Sequence, residues 1–449
     1  LRHLASYTSC IQILYTQCRA INDTGWAVRA VPDQKRCSTA LFSSCRHNST
    51  MAFKQRGKCL LGSTAMAKDV NDPIEALRRN VSLPFETARA MPAEVYTTQA
   101  FVDAELEHIF RKDWYCVGRS DALAKAGDYV SCDLAGQPIV VIRDQPGDLS
   151  ALSNVCLHRM STLLHGRGNT KSIVCPYHAW TYSLDGTLRG APAMSRNDAF
   201  CKDAYALPKI CCEEWLGWVF VCLDPDARSV ADQLAPVAQM IDGYNMTNYD
   251  ETFYEEHVWD TNWKVLAENF MESYHLPVCH AGTIGGLSRL EDMVCPPGDP
   301  AFNYHTILKD DTLDIAKAHP SNKRLKGDER RTTFLLAVYP SLMITLTPGY
   351  FWYLSLHPKG PGQVHIRFGG GMSNDYKHDE NAKANFVALK SLLDRVNDED
   401  RGCTEKVYRG LCSDLARPGH LSHLERPNYD FAHYLMNKID TGRMAATRD

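Results

Sequence analysis

Cys156-Leu157-His158 and Cys175-Pro176-Tyr177-His178 stand sixteen residues apart in a chain of 449. Each arm offers one thiolate and one imidazole. Two thiolates can hold one iron of a two-iron, two-sulfur cluster, and two imidazoles the other. Replacing thiolate by neutral imidazole lifts the reduction potential, to about −150 to +300 mV against about −400 mV for all-cysteine plant-type clusters. Such a centre passes single electrons, so it implies a second redox site. Zinc also binds Cys and His pairs, and these four residues alone leave it open. Zinc motifs usually join like with like, whereas here each arm is mixed.

After the second arm, Ala179-Trp180-Thr181-Tyr182-Ser183-Leu184-Asp185-Gly186-Thr187-Leu188 is an aromatic-rich strand entering an Asp-Gly turn. That pattern predicts a β-hairpin covering a cluster from water. A helix is predicted over Ala100–Trp114. Strands are predicted at Trp114–Gly118, Asp128–Leu134, Pro138–Arg143, Ser150–Val155 and Trp215–Leu223, separated by turn residues. Residues 114–225 thus read as a small antiparallel β domain. The arms and the hairpin resemble the Rieske iron–sulfur domain.

The electron acceptor is sought in Glu268-Asn269-Phe270-Met271-Glu272-Ser273-Tyr274-His275-Leu276-Pro277-Val278-Cys279-His280. A helix is predicted over Trp263–His275, so that Glu272 and His275, three apart, share a face. Pro277 disfavours helix at Leu276, which helps the chain leave the helix and bring His280 beside His275. Two His and one carboxylate on one side of an iron leave positions open for O₂ and substrate. The same residues would also suit an acid–base pair or a zinc site. Further helices are predicted at 230–244, 382–401 and 405–415, and strands at 252–258, 332–339, 342–347, 351–357 and 363–369. This is an α+β pattern. Gly369-Gly370-Gly371 lacks the spacing of a dinucleotide fingerprint.

Residues 100–449 are similar to the α subunits of Rieske non-haem iron oxygenases. Glu268, Glu272, His275 and His280 match that family's second motif. The resemblance implies an α+β fold, with a small antiparallel Rieske domain before a larger catalytic domain whose antiparallel sheet is flanked by helices. It implies a [2Fe–2S] cluster on Cys156, His158, Cys175 and His178. It also implies one mononuclear Fe(II) per subunit on His275, His280 and a downstream acid. Asp400 best matches that acid, with Asp398 and then Asp394 behind it. Glu272 takes the bridging place, bonded to His275 and to the cluster's His178 in a neighbouring subunit. Most members carry Asp there. Glu resembles the branch acting on quaternary ammonium compounds, as do Gly410–Ser413, Gly419–Glu425 and Phe431. Tyr350-Phe351-Trp352-Tyr353 offers aromatic faces of the kind such a cation needs. At most two of the four can face one side of a strand, and plain core packing explains them equally well.

The implied reaction is hydroxylation by O₂ with external electrons from a ferredoxin or flavin reductase. Choline to betaine aldehyde is the expected case. N-demethylation or C–N cleavage of a betaine or carnitine comes next, then aromatic-ring hydroxylation. A Rieske electron carrier without oxygenase activity is the non-enzyme alternative. A homotrimer, or a multiple of one, is implied by the resemblance.

Bulk properties agree with a soluble globular chain: 44% hydrophobic residues and a net charge of −4. No apolar stretch is long enough to span a membrane, and no broad basic surface invites nucleic acid. Seventeen cysteines show no regular disulfide framework. Residues 1–66 hold nine Lys or Arg and two acids, a net +7 that leaves −11 for the remainder. This Ser-rich leader resembles an organellar transit peptide. It points to the chloroplast stroma ahead of the mitochondrion, or to the cytoplasm if translation starts at Met51 or Met66. The expected domains are a leader at 1–66, a linker and helix at 67–113, a Rieske domain at 114–225 and a catalytic domain at 226–449.

Overall fold

Among the described residues two seven-stranded antiparallel sheets carry the fold, and the two main hydrophobic cores each draw on both of them. The computed structural model describes residues 72–145, 147–287, 289–308 and 314–446. The expected leader lies outside the described residues.

The first sheet draws on β1 (Tyr115–Arg119), β2 (Asp128–Leu134), β3 (Gln137–Arg143), β4 (Leu149–Ser153) and β5 (Arg167–Asn169). A three-stranded sheet of β6 (Ile173–Val174), β7 (Thr181–Tyr182) and β8 (Leu188–Gly190) follows. β9 (Lys209–Trp215) and β10 (Trp218–Cys222) then complete the first sheet, in the order β1-β10-β9-β4-β3-β2-β5. The expected strand over Trp215–Leu223 is corrected here. Leu216 and Gly217 take φ of 48° and 81° and reverse the chain between β9 and β10. Leu216 is no turn former, so the apolar run concealed the turn. Gly217 is required twice over, since a Cβ there would also sit 2.6 Å from the Arg119 guanidinium.

The second sheet is β11 (Tyr249–Trp259), β12 (Met293–Val294), β13 (Phe302–Ile307), β14 (Thr333–Val338), β15 (Leu342–Leu346), β16 (Tyr350–Pro358) and β17 (Val364–Ser373). Its order is β11-β17-β16-β15-β14-β13-β12. Strand periodicity sorts its side chains onto two faces. Leu336, Ile344, Phe351 and Tyr353 pack with Trp218 and Phe220 of the first sheet. Met343, Leu354, Ile366 and Phe368 pack instead with the helix that follows β11.

The helices that matter are α1 (Pro73–Val81), α2 (Trp263–Met271), α3 (Leu276–Cys279), α4 (Glu380–Leu411) and α5 (Arg426–Ala446). Several expectations change. The helix predicted to reach His275 ends at Met271. The two predicted helices near the end are the single 32-residue α4; it absorbs Gly402 at about 1 kcal/mol, the usual cost of a helical glycine. The helix over 230–244 is two short ones, Val230–Gln233 and Ala235–Met240, parted ahead of Pro236. Helix α5 was not expected; the Ser422–Glu425 capping box just before it is a start signal in the sequence. No helix among the described residues is long and apolar enough to cross a membrane.

Helix α2 buries unusual charge. Lys264 Nζ lies 2.7 Å from Glu105 Oε1, both side chains fully buried. One turn on, Glu268 accepts a 2.7 Å hydrogen bond from the Tyr96 hydroxyl. Burial pushes the Glu268 carboxyl up to about 7, against the pull of Tyr96 and Lys264. A raised folded-state pKa means the fold favours the protonated acid. The stability this gives is complete below the unfolded-chain value near 4.5 and is lost as pH rises through about 7. Glu268→Gln is therefore expected to stabilise the protein at pH 8 by on the order of 2 kcal/mol and to change little at pH 4. Denaturant midpoints at the two pH values check this; equal shifts at both would contradict it.

Candidate metal centres

Two loops of matching design carry the mixed Cys–His arms. In the first, Cys156 N donates to Ser161 O and Met160 N donates to Cys156 O. In the second, Cys175 N donates to Trp180 O and Ala179 N donates to Cys175 O. Met160 and Ala179 both adopt positive φ, 53° and 56°. Each loop thus turns its Cys inward and its His across the gap. The His158 and His178 rings stand 4.6 Å apart. Trp180 stacks on His158 at 5.0 Å, and the Tyr182 hydroxyl lies 3.4 Å from Cys156 Sγ. The β7–β8 hairpin turns at Asp185-Gly186 and supplies this cover.

The four side chains fit a cluster. Cys156 and Cys175 are buried, and both are free thiols. Burial opposes ionisation of Cys175, yet the His178 and Tyr177 backbone N–H groups bring its pKa below the ordinary thiol value. Desolvation, with the charges of His158 and Arg159, holds His178 below the usual imidazole value. Buried His158 Nδ1 has no hydrogen-bond partner among the described residues. Thiolate-prone sulfur and neutral imidazole are the forms that ligate metal. The outer edge is open: His178 is exposed, as are Tyr177 (56%) and Met160 (76%).

The second site forms where α2 stops. Glu272 is extended, with φ −126° and ψ 152°. Its carboxylate accepts from the backbone N–H groups of Tyr274 and His275 and lies 2.6 Å from His275 Nδ1. The pair meets across this turn, not along a helix face as expected. Pro277 also plays another part: it sits in the first turn of α3, where a missing N–H costs nothing. Helix α3 then delivers His280 at its C-cap, with the His275 and His280 rings 5.1 Å apart.

Asp400 reaches the same point from α4. One ligating atom from each of His275, His280 and Asp400 falls within 4.8 Å of the others. Asp400 Oδ1 lies 3.0 Å from His280 Nε2 and 3.6 Å from His275 Nε2, yet it is buried and hydrogen-bonded to neither. Three atoms aimed at a common centre rather than at each other is the arrangement a metal ion requires. Burial opposes protonation of His275, but Asp400 and Glu272 together raise it to about 10. Without a cation the carboxylates pull protons onto the imidazoles; a metal ion balances them instead. Asp398 and Asp394 do not join this group, and Asp394 pairs with Lys390. Glu268 points away, to Tyr96.

Sequence reasoning missed Glu399. Its Oε2 lies 2.8 Å from His280 Nδ1 and accepts a 2.5 Å hydrogen bond from the Thr283 hydroxyl. Each histidine therefore has its own orienting carboxylate. Its place beside Asp400 was the available signal. A cavity of about 170 Å³ opens beside the triad. Trp259, Phe270, Tyr350 and Trp352 contribute aromatic faces, and no Lys or Arg lines it among the described residues. Of the four-aromatic run, Tyr350 and Trp352 face the cavity, while Phe351 and Tyr353 face the opposite core.

Residues 113–210 match the Rieske [2Fe–2S] domain, and residues 246–441 match the ring-hydroxylating α subunit catalytic domain. The chain is 32% identical over 347 residues to the carnitine monooxygenase oxygenase subunit of Escherichia coli K12, covering 73% of this chain and 86% of that one. It is 29% identical over 371 residues to the chloroplastic choline monooxygenase of Arabidopsis thaliana, covering 78% and 82%. Among solved structures, the quaternary ammonium Rieske monooxygenase CntA in complex with an inhibitor superposes with TM-score 0.69 at 24% identity, over 80% of this chain and 97% of that one. Naphthalene 1,2-dioxygenase from a Rhodococcus species gives TM-score 0.69 at 21% identity, over 82% and 98%.

Removing Glu399 by Glu399→Ala is expected to weaken retention of the mononuclear metal about 10–100-fold, while cluster absorbance is unchanged. Metal titration after chelation, read beside the visible spectrum, checks this. A variant that holds both metals like the parent protein would exclude the orienting role.

Proposed function

This chain belongs to the α subunits of the Rieske oxygenases, with a [2Fe–2S] domain and a mononuclear-iron catalytic domain, and from that membership we propose that it monooxygenates a small quaternary ammonium cation. The observation that carries the reading is the cavity. It sets aromatic faces beside His275, His280 and Asp400 and is lined by no Lys or Arg among the described residues. A quaternary ammonium cannot donate a hydrogen bond and is held instead by ring faces. A carboxylate-bearing substrate would find no counter-ion there and would meet Asp400 and Glu272. Choline, a cation with no carboxylate, is therefore the preferred substrate over carnitine or glycine betaine. Conversion of its CH₂OH group to an aldehyde hydrate consumes one O₂, two electrons and two protons and releases one water.

When bound, the cluster supplies single electrons and the mononuclear iron supplies O₂ activation on its open face. The chain's own groups set the geometry. Glu272 and Glu399 hold the Nδ1 atoms of the two histidines, so both Nε2 atoms face Asp400. Trp352 and Tyr350 form a wall of the substrate cavity, and buried leucines exclude water from it. Electron delivery is assigned to a neighbouring copy, whose His178 would approach Glu272. In support, both ends of that contact carry exposed apolar groups: Met160 and Tyr177 by His178, and Tyr274 (51%) and Val278 (81%) by His275. Desolvation of a shared contact is what such groups favour. The external donor is a ferredoxin or flavin reductase, and a trimer would close the head-to-tail contacts.

Oxygen uptake with choline, carnitine, glycine betaine and an aromatic acid, each with a reductase, tests the substrate. Choline is expected to give stoichiometric aldehyde. Coupled turnover of the aromatic acid alone would overturn the reading. Trp352→Leu is expected to raise the KM for the cation about tenfold with little change in kcat. For the bridge, Glu272→Gln is expected to leave the cluster reducible and to slow its reoxidation by O₂ and substrate at least tenfold. Stopped-flow absorbance reads this, and unchanged reoxidation would reject it.

A further inference from the structure

Strand β15 divides its side chains between the two faces of the sheet. Leu342, Ile344 and Leu346 join the core shared with the Rieske half, and Met343 packs on the other face. Thr345 shares the Met343 face. It lies across from Leu335 on β14 and Trp352 on β16, and all three line the substrate cavity. Thr345 is 6% exposed, and its Oγ1 has no hydrogen-bond partner among the described residues. A buried hydroxyl left unpaired opposes folding. Valine has the same shape and would suit this apolar wall better. The hydroxyl therefore needs a reason outside the fold.

The aromatic faces account for one end of the proposed substrate, the cation. They leave its other end to be held. A carboxylate there would lack a Lys or Arg and would face the carboxylates of Asp400 and Glu272 in the same cavity. An alcohol fits, because hydroxyls both donate and accept and can pair with a threonine hydroxyl in either sense. We propose that Thr345 Oγ1 anchors a neutral hydroxyl on the substrate, and so selects amino-alcohol cations over alkylammonium cations of the same size. The assignment rests on the quaternary ammonium reading above. It makes Thr345 a specificity residue with no part in holding either metal.

Calorimetric binding to the holoenzyme decides it, with choline and ethyltrimethylammonium as probes. The two cations differ by one hydroxyl. The parent protein is expected to bind choline about tenfold more tightly, the worth of one neutral hydrogen bond. Thr345→Val should abolish that preference by weakening choline alone, and Thr345→Ser, which keeps the hydroxyl, should retain it. If both cations bind and Thr345→Val leaves the preference unchanged, or the parent shows none, the anchor is overturned and the quaternary ammonium reading stands. Loss of the preference in Thr345→Ser as complete as in Thr345→Val would also overturn the anchor, by assigning the effect to packing. If the parent protein binds neither cation, the quaternary ammonium reading falls and the anchor with it.

Discussion

Asp400 has to meet two histidines that lie 125 and 120 residues before it. The catalytic half is arranged around that meeting. Helix α2 lies on one face of the second sheet and must stop at Met271, because only an extended Glu272 can cap the turn that holds His275. Helix α4 must run unbroken past Gly402, since a break there would free the segment carrying Glu399 and Asp400. Glu272 and Glu399 then fix both rings by their Nδ1 atoms. Gathering three carboxylates and two imidazoles out of water opposes folding unless charge is balanced. The fold accepts that penalty here, where a bound cation would balance the charge.

Strand β16 joins this site to the electron-transfer half. Tyr350 and Trp352 line the cavity, while Phe351 and Tyr353 pack with Trp218 on the other side. Tyr353 also donates to Glu251, which pairs with Arg167 of the first sheet. A slip of one residue would exchange the two sets and destroy both surfaces at once. Glycines of β17 protect the register from below. A Cβ on Gly370 would meet Phe253 at 2.6 Å, and one on Gly371 would meet the Asp250 carbonyl at 1.8 Å. The run that resembled a dinucleotide loop without its spacing is explained by this close packing of strands.

How much could be read in advance follows from the range of the interactions. The cluster arms are local: each loop closes on hydrogen bonds four and five residues apart, so Cys156, His158, Cys175 and His178 stood out from spacing alone. Strands β14 to β17 were also read close to their observed bounds. Glu272 and His275 were paired correctly but on the wrong local structure, because a carboxylate can cap a turn as readily as share a helix face. Asp400 was reached through family resemblance; nothing in its neighbourhood separates it from Asp398 until α4 is seen to place them on different sides. Glu399 had only its place beside Asp400 as a signal, and Thr345 had none. Their roles depend on what other elements bring to them, and a threonine in a strand is ordinary until its hydroxyl proves to lack a partner.

Charge also bears on which molecules the cavity favours. Glu272, Glu399 and Asp400 carry three formal negative charges around two imidazoles. A ferrous ion contributes two positive charges, which leaves one negative at the end of an apolar cavity. In a medium of low dielectric that residual charge acts over the length of a small substrate. A zwitterion meets it with compensating ends and gains little. A neutral aromatic ring gains nothing from it. For the proposed substrate, a compact cation, that charge and the faces of Trp352 and Tyr350 would act in the same sense.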